Sequence, residues 1–208
     1  MFINRGLMLS TAGWVNPDIN YPTSFTYNGS PAGGTVSPWN NFSIGTEAAD
    51  RIVVIACSFR TTVAFSLGTG MTIDGNAMTL AVNHTLVTND GAIIYYLPWP
   101  TGTTADFAWG GTNQQPLMAT YSIYGANSPT PVSTAGAASS LTVNALIGDL
   151  ILAVGHERGV SSSNWTNGMG EDFVYNPGSN FGVASQLCTV ERASIGANFN
   201  DFCAAVWR

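Results

Sequence analysis

Lysine does not occur in this chain; all six of its basic side chains are arginine. Walker phosphate loops, Ser-x-x-Lys nucleophiles and Schiff-base chemistry each need a lysine, so all three are excluded. Charge of either sign is scarce, at 9 % of residues, and twelve acids leave a net charge of −6. Nucleic-acid binding needs a basic patch to neutralise phosphates, and no cluster of arginines supplies one. The two histidines, His84 and His156, stand far apart in the chain, and no cysteine has CxxC spacing. Such a set predicts no transition-metal site and no cofactor. Cys57, Cys188 and Cys203 lie in apolar runs and are expected as buried free thiols. A Cys188–Cys203 bridge stays open if their strands pair. No apolar run approaches the roughly 18 residues of a membrane helix, so no membrane partner is expected. Met1 to Trp14 carries no continuous apolar segment or small-residue cleavage site and does not read as a signal peptide.

What the chain does have is apolar mass broken by turns. It is 45 % hydrophobic, with 23 glycines and 10 prolines in 208 residues. That composition suits one core built from many short strands. Arg51-Ile-Val-Val-Ile-Ala-Cys57 is a β-branched run that fits a strand buried on both faces. Asp74-Gly75 supplies the positive φ of a two-residue hairpin turn between Met71–Ile73 and Asn76–Leu80. Met78, Leu80, Val82, His84 and Leu86 alternate with smaller or polar residues and so share one face. Further strands are expected at 92–97, 106–109, 117–124, 141–143, 149–154, 172–175, 181–190 and 201–207, with 133–140 a loop or weak edge. No helix is expected. The reading is an all-β protein, an antiparallel β-sandwich of jelly-roll-like or immunoglobulin-like type. Ile52, Val54, Ile93, Tyr95, Leu150, Leu152 and Val206 are its expected core. Ala49-Asp50-Arg-Ile-Val-Val-Ile-Ala56 is echoed by Gly148-Asp149-Leu-Ile-Leu-Ala153, which suggests matching strands in two sheets but is too short to establish a duplication.

Residues 1–46 differ from the rest. Pro17, Pro22, Pro31 and Pro38 interrupt them, and alternating apolar runs are few, with Ser24–Tyr27 reading as one short strand. They read as an extended N-terminal arm, with the sandwich domain spanning 47–208. Trp14, Tyr21, Phe25, Trp39 and Phe42 are the candidate interface residues of that arm, because exposed aromatics tend to anchor on a neighbour. Trp99, Trp109, Trp165 and Tyr175 lie at or near turns, where rings can stack on sugars; they are candidate glycan-binding residues, though rings at strand ends more often seal a core. Catalysis is not expected. Glu157, Glu171, Asp172 and Glu191 include no pair at i and i+2 on one strand that would aim two carboxylates across a glycosidic bond. His84 falls on an apolar strand face and reads as a packed histidine. His156, with Glu157 and Arg158, reads as the solvated end of a strand.

Several segments together resemble a domain of tailed-bacteriophage structural proteins. They are Ala49–Ala56, Met71-Thr-Ile-Asp-Gly-Asn-Ala-Met78, Leu97-Pro98 with Pro100-Thr-Gly-Thr-Thr-Ala-Asp106, Gly148–Ala153, Trp165 and Cys203-Ala-Ala-Val-Trp-Arg208. The likeness covers about 47–208. It implies a virion β-sandwich without catalytic residues or cofactor, assembled in the host cytoplasm. The expected role is capsid decoration or cement; the alternatives are a small tail, neck or fibre component and, third, a carbohydrate-binding module. Expected partners are other copies of the chain, a trimer by preference, and major capsid or tail proteins.

Overall fold

The structure is a computed structural model, and it describes residues 21–30, 37–60, 66–87, 90–111, 117–137, 140–158, 165–167, 169–175, 179–191, 193–197, 199 and 201–208. Among them there are strands and no helix. The strands are β1 (Ser24–Gly29), β2 (Trp39–Ser43), β3 (Ile52–Arg60), β4 (Met71–Ile73), β5 (Asn76–Ala77), β6 (Thr79–Val87), β7 (Asp90–Pro98) and β8 (Thr104–Trp109). They continue with β9 (Leu117–Tyr124), β10 (Ser133–Ala137), β11 (Ser140–Thr142), β12 (Leu150–Arg158), β13 (Gly170–Tyr175), β14 (Ser179–Leu187), β15 (Ser194–Gly196) and β16 (Asp201–Trp207).

Two five-stranded antiparallel sheets face one another, ordered β1-β9-β3-β7-β6 and β10-β16-β12-β14-β13. Their shared core holds Ile52, Val54, Tyr121, Leu150, Leu152, Phe181 and Trp207. Each large sheet is covered on its other face as well. A sheet ordered β2-β8-β4-β5 packs Trp39, Met71, Ile73 and Phe107 against Val53, Ile55, Ile93 and Tyr95. The β11–β15 pair and its loops pack Leu141, Ile195 and Phe199 against Ile151, Ala153, Phe202 and Val206. The sandwich expected from the sequence is therefore flanked by two further layers. Double coverage is why β3, β12 and β16 are continuous apolar runs, and why β16 is buried at every position. The predicted core residues are all buried, but on different faces: Ile93, Tyr95 and Val206 belong to the outer cores.

The two halves of the chain repeat one topology. Strands β1, β3, β6, β7 and β9 occupy the same places in their sheet as β10, β12, β13, β14 and β16 in the other, and β2–β8 matches β11–β15. The β4–β5 hairpin is an addition in the first half. Connecting hydrogen bonds repeat too. Trp99 N donates to Arg51 O at 3.0 Å and Cys188 N to Asp149 O at 2.7 Å; Ile44 N donates to Thr103 O and Val143 N to Ala193 O, both at 3.0 Å. These bonds equate Arg51 with Asp149, whereas the sequence echo aligns Asp50 with Asp149. The echo is real but one residue out of register. A one-residue slip exchanges the faces of a strand, and only the structural alignment places Ile52, Val54 and Ala56 with Leu150, Leu152 and Val154 in the shared core.

Several local expectations change. Asp74 and Gly75 form the hairpin turn with φ of 45° and 79°. The expected single face of Met78, Leu80, Val82 and His84 is broken by a bulge at Leu80/Val82, which leaves Leu80 37 % exposed, Met78 in the outer core and Val82 against the central one. The small-residue stretch 133–137 is an edge strand, paired along β16. The three cysteines are free and buried, and no Cys188–Cys203 bridge forms, because Cys203 faces the central core and Cys188 an outer one.

Candidate functional site

The stretches of 1–46 that are described do not lie free. β1 pairs along β9 and completes the edge of the first large sheet, with Phe25 and Tyr27 packed against the central core. β2 pairs with β8, and Trp39, 3 % exposed, sits opposite Phe107. Phe42 covers the same outer core. Trp39 is thus buried in the chain's own body, and Phe25 and Phe42 are partly buried there. Strand pairing occupies their backbone, something a proline-broken stretch does not announce by periodicity. Tyr21 lies against Gly148, where an added Cβ would meet its ring at 2.9 Å. Trp14 lies outside the described residues.

The candidate glycan-binding tryptophans divide between the two outer layers. Trp99 and Trp109 pack on the outer core of the first half, Trp109 edge-on to Tyr95 with ring centroids 6.0 Å apart. Trp165 packs on the outer core of the second half, 5.1 Å from the ring of Phe199 and 6.3 Å from that of Phe202. Trp165 therefore lies in the outer layer opposite the one that holds Trp99 and Trp109. The Tyr175 side chain lies outside the described part.

Buried polar groups tie the strand ends. Arg51 is fully buried, and its guanidinium donates to five carbonyls: Trp99 O at 2.7 Å, Thr101 O at 2.6 Å, Thr46 O at 2.9 Å, and Ile44 O and Gly45 O both at 3.2 Å. It gathers the ends of β2, β3 and β7. Asp149, its counterpart, is also fully buried; it accepts from Leu146 N at 2.7 Å and pairs in a fork with Arg208 at 2.9 and 2.8 Å. The repeat keeps a buried ion at this corner and reverses its sign.

Polar contacts cross between the large sheets on two sides of the described body. On one side, the Tyr121 hydroxyl of β9 donates to Asp172 Oδ2 of β13 at 2.8 Å, with Tyr27 5.4 Å from Tyr121 ring to ring. Burial raises the Asp172 carboxyl above its ordinary value, against the lowering effect of hydrogen bonds from Ser185 and Tyr121. Burial, reinforced by the charge of Asp172, pushes Tyr27 up to about 12 and Tyr121 well above the ordinary phenol value. On the other side, His84 Nδ1 of β6 lies 3.2 Å from Asp201 Oδ1 of β16. His156 stands opposite that same aspartate in the β12–β16 register and is 2 % exposed. His84 is the packed histidine the sequence suggests. His156 is not the solvated strand end expected, because it still lies between β14 and β16 and β12 continues past it along β14. The sequence shows two distant histidines; nothing in it signals that both come beside one buried carboxylate. Among the described residues, no three His, Cys, Asp or Glu side chains are placed to hold a metal ion. Glu171 and Glu191 are exposed and the Glu157 side chain is outside the described part. Burial also raises the thiols of Cys57 and Cys203 far above the cysteine range, which leaves them protonated and unreactive.

No protein-family model matches the chain, nor does any curated protein or solved structure.

Proposed function

We propose that this protein is a structural subunit of a tailed-phage virion, a decoration or cement protein on the capsid surface, with no enzymatic activity. One observation carries the reading furthest: the buried ions are spent on the frame, Arg51 on strand-end carbonyls and Asp149 on Arg208. A body stiffened in this way, poor in surface charge and resembling virion sandwiches over 47–208, suits a part held by neighbours. Its partners would be further copies, as a trimer, and the major capsid protein. Attachment would fall to residues 1–20, which include Trp14, since β1 and β2 belong to the body.

The test is mass spectrometry and cryo-electron microscopy of purified virions, with light scattering of the free protein. A copy number matching shell symmetry, and loss of shell binding on deleting residues 1–20, are expected. Density confined to the tail would establish the alternative of a small tail, neck or fibre component. Absence from purified particles would refute both.

A further inference from the structure

We propose that the second half carries a binding pocket for a neutral sugar, separate from any virion contact and independent of the virion reading. A cavity of about 420 Å³ opens where the end of β14, the 188–190 turn, the start of β15 and the 165–167 loop meet. That volume lies within the usual range for small-ligand sites, roughly 300 to 1,000 Å³. Asn167, Gln186, Thr189 and Ser194 give it amide and hydroxyl groups; Val190 and Ala193 give it an apolar wall.

The chemistry of the lining selects the ligand class. Among the described residues the lining has no Asp, Glu, Lys, Arg or His, and the ionisable group it does have, the Cys188 thiol, is raised by burial and stays neutral. An ionic ligand would lose its hydration there with no counter-charge from these residues to replace it. A pyranose has a rim of hydroxyls and an apolar C–H face, which match amides and hydroxyls on one side and Val190 with Ala193 on the other. Val190 is 59 % exposed, the most exposed large apolar side chain among the described residues.

The walls are fixed before any ligand arrives. Thr166 N donates to Gly196 O at 2.9 Å and Asn167 Nδ2 to Ser194 O at 2.8 Å, which pin the 165–167 loop to β15. Asn167 is held at a φ of 60°. Cys188 N donates to Asp149 O at 2.7 Å and its thiol lies 2.7 Å from Val190 O, which fixes the opposite wall. Trp165, one of the candidate stacking rings in the sequence, supports the loop from behind by packing on Phe199. Pre-organised walls lower the ordering cost of binding.

The experiment is a nuclear magnetic resonance titration of the full chain with the methyl glycosides of glucose, galactose and N-acetylglucosamine. Glycerol and N-acetylneuraminic acid serve as neutral and anionic controls. At least one methyl glycoside should shift the amides of 186–194 with a Kd of about 1–10 mM. Val190→Trp, which fills the pocket from an exposed turn, should weaken that binding at least about tenfold with an unchanged unfolding temperature; Gln186→Ala should weaken it too. The proposal is overturned if no methyl glycoside shifts these amides, if glycerol or the anionic sugar binds as well, or if Val190→Trp binds like the wild type.

Discussion

Arg51 shows how much one side chain can organise here. Its five acceptors come from two segments, 44–46 and 99–101, that converge on the start of β3. An unmet buried carbonyl costs about 1–3 kcal/mol, so Arg51→Met should lower unfolding free energy by at least about 3 kcal/mol in urea melts. Arg51→Lys should recover only part of this, because an ammonium cannot spread donors over a guanidinium's fork. A loss under about 1 kcal/mol would show the carbonyls re-satisfied by water. Asp172 supplies the pH dependence. Its carboxyl is raised in the folded state, so the folded protein holds that proton more tightly than the unfolded chain. The associated stability is present below the unfolded value and is lost as pH rises through the folded one. Asp172→Asn should therefore flatten stability against pH across that window, measured by denaturant melts from acid to neutral pH. Tyr121→Phe, which removes a hydrogen bond to the ionised form, should move the Asp172 titration further up in a carbon-13 carboxyl experiment.

At the scale of the elements, close approach decides which residues are tolerated. Gly155 of β12 and Gly182 of β14 stand opposite each other in register, and both face the ring of Phe199. A Cβ at Gly155 would come within 2.3 Å of that ring, and one at Gly182 within 2.5 Å. Gly155→Ala should cost about 1–3 kcal/mol by overpacking. Because the two glycines share one neighbour, the double alanine variant should cost less than the two single costs added, and Phe199→Leu should relieve Gly155→Ala; strict additivity in a double-mutant cycle would count against this packing account. These glycines look like ordinary punctuation in the sequence. Their role depends on a ring brought across from residue 199. The Asp74-Gly75 hairpin, in contrast, was legible because its turn chemistry is local. The bulge in β6 and the strands β2 and β15 were not, since each depends on a partner distant in sequence.

At the scale of the molecule, the described body is a stack of four β layers in which the two halves share one central core. Val54 and Tyr121 from the first half meet Leu152, Phe181 and Trp207 from the second. Unfolding either half would expose that face of the other, so the described body should melt as one unit. Single-tryptophan probes at Trp109 and Trp165, one in each outer layer, should report one coincident transition; separated midpoints would show the halves to be independent. The sequence by itself determined the strand class, the buried character of β3 and β12 and the thiol burial of the cysteines, because periodicity, β-branching and turn residues act over short spans. Only tertiary structure decided the register of the internal repeat, the absorption of Trp39 and Phe25 into the body, the meeting of His84 and His156 at Asp201, and the pocket beside Val190. Each of these turns on which distant strands lie side by side, a long-range outcome that local residue patterns leave open.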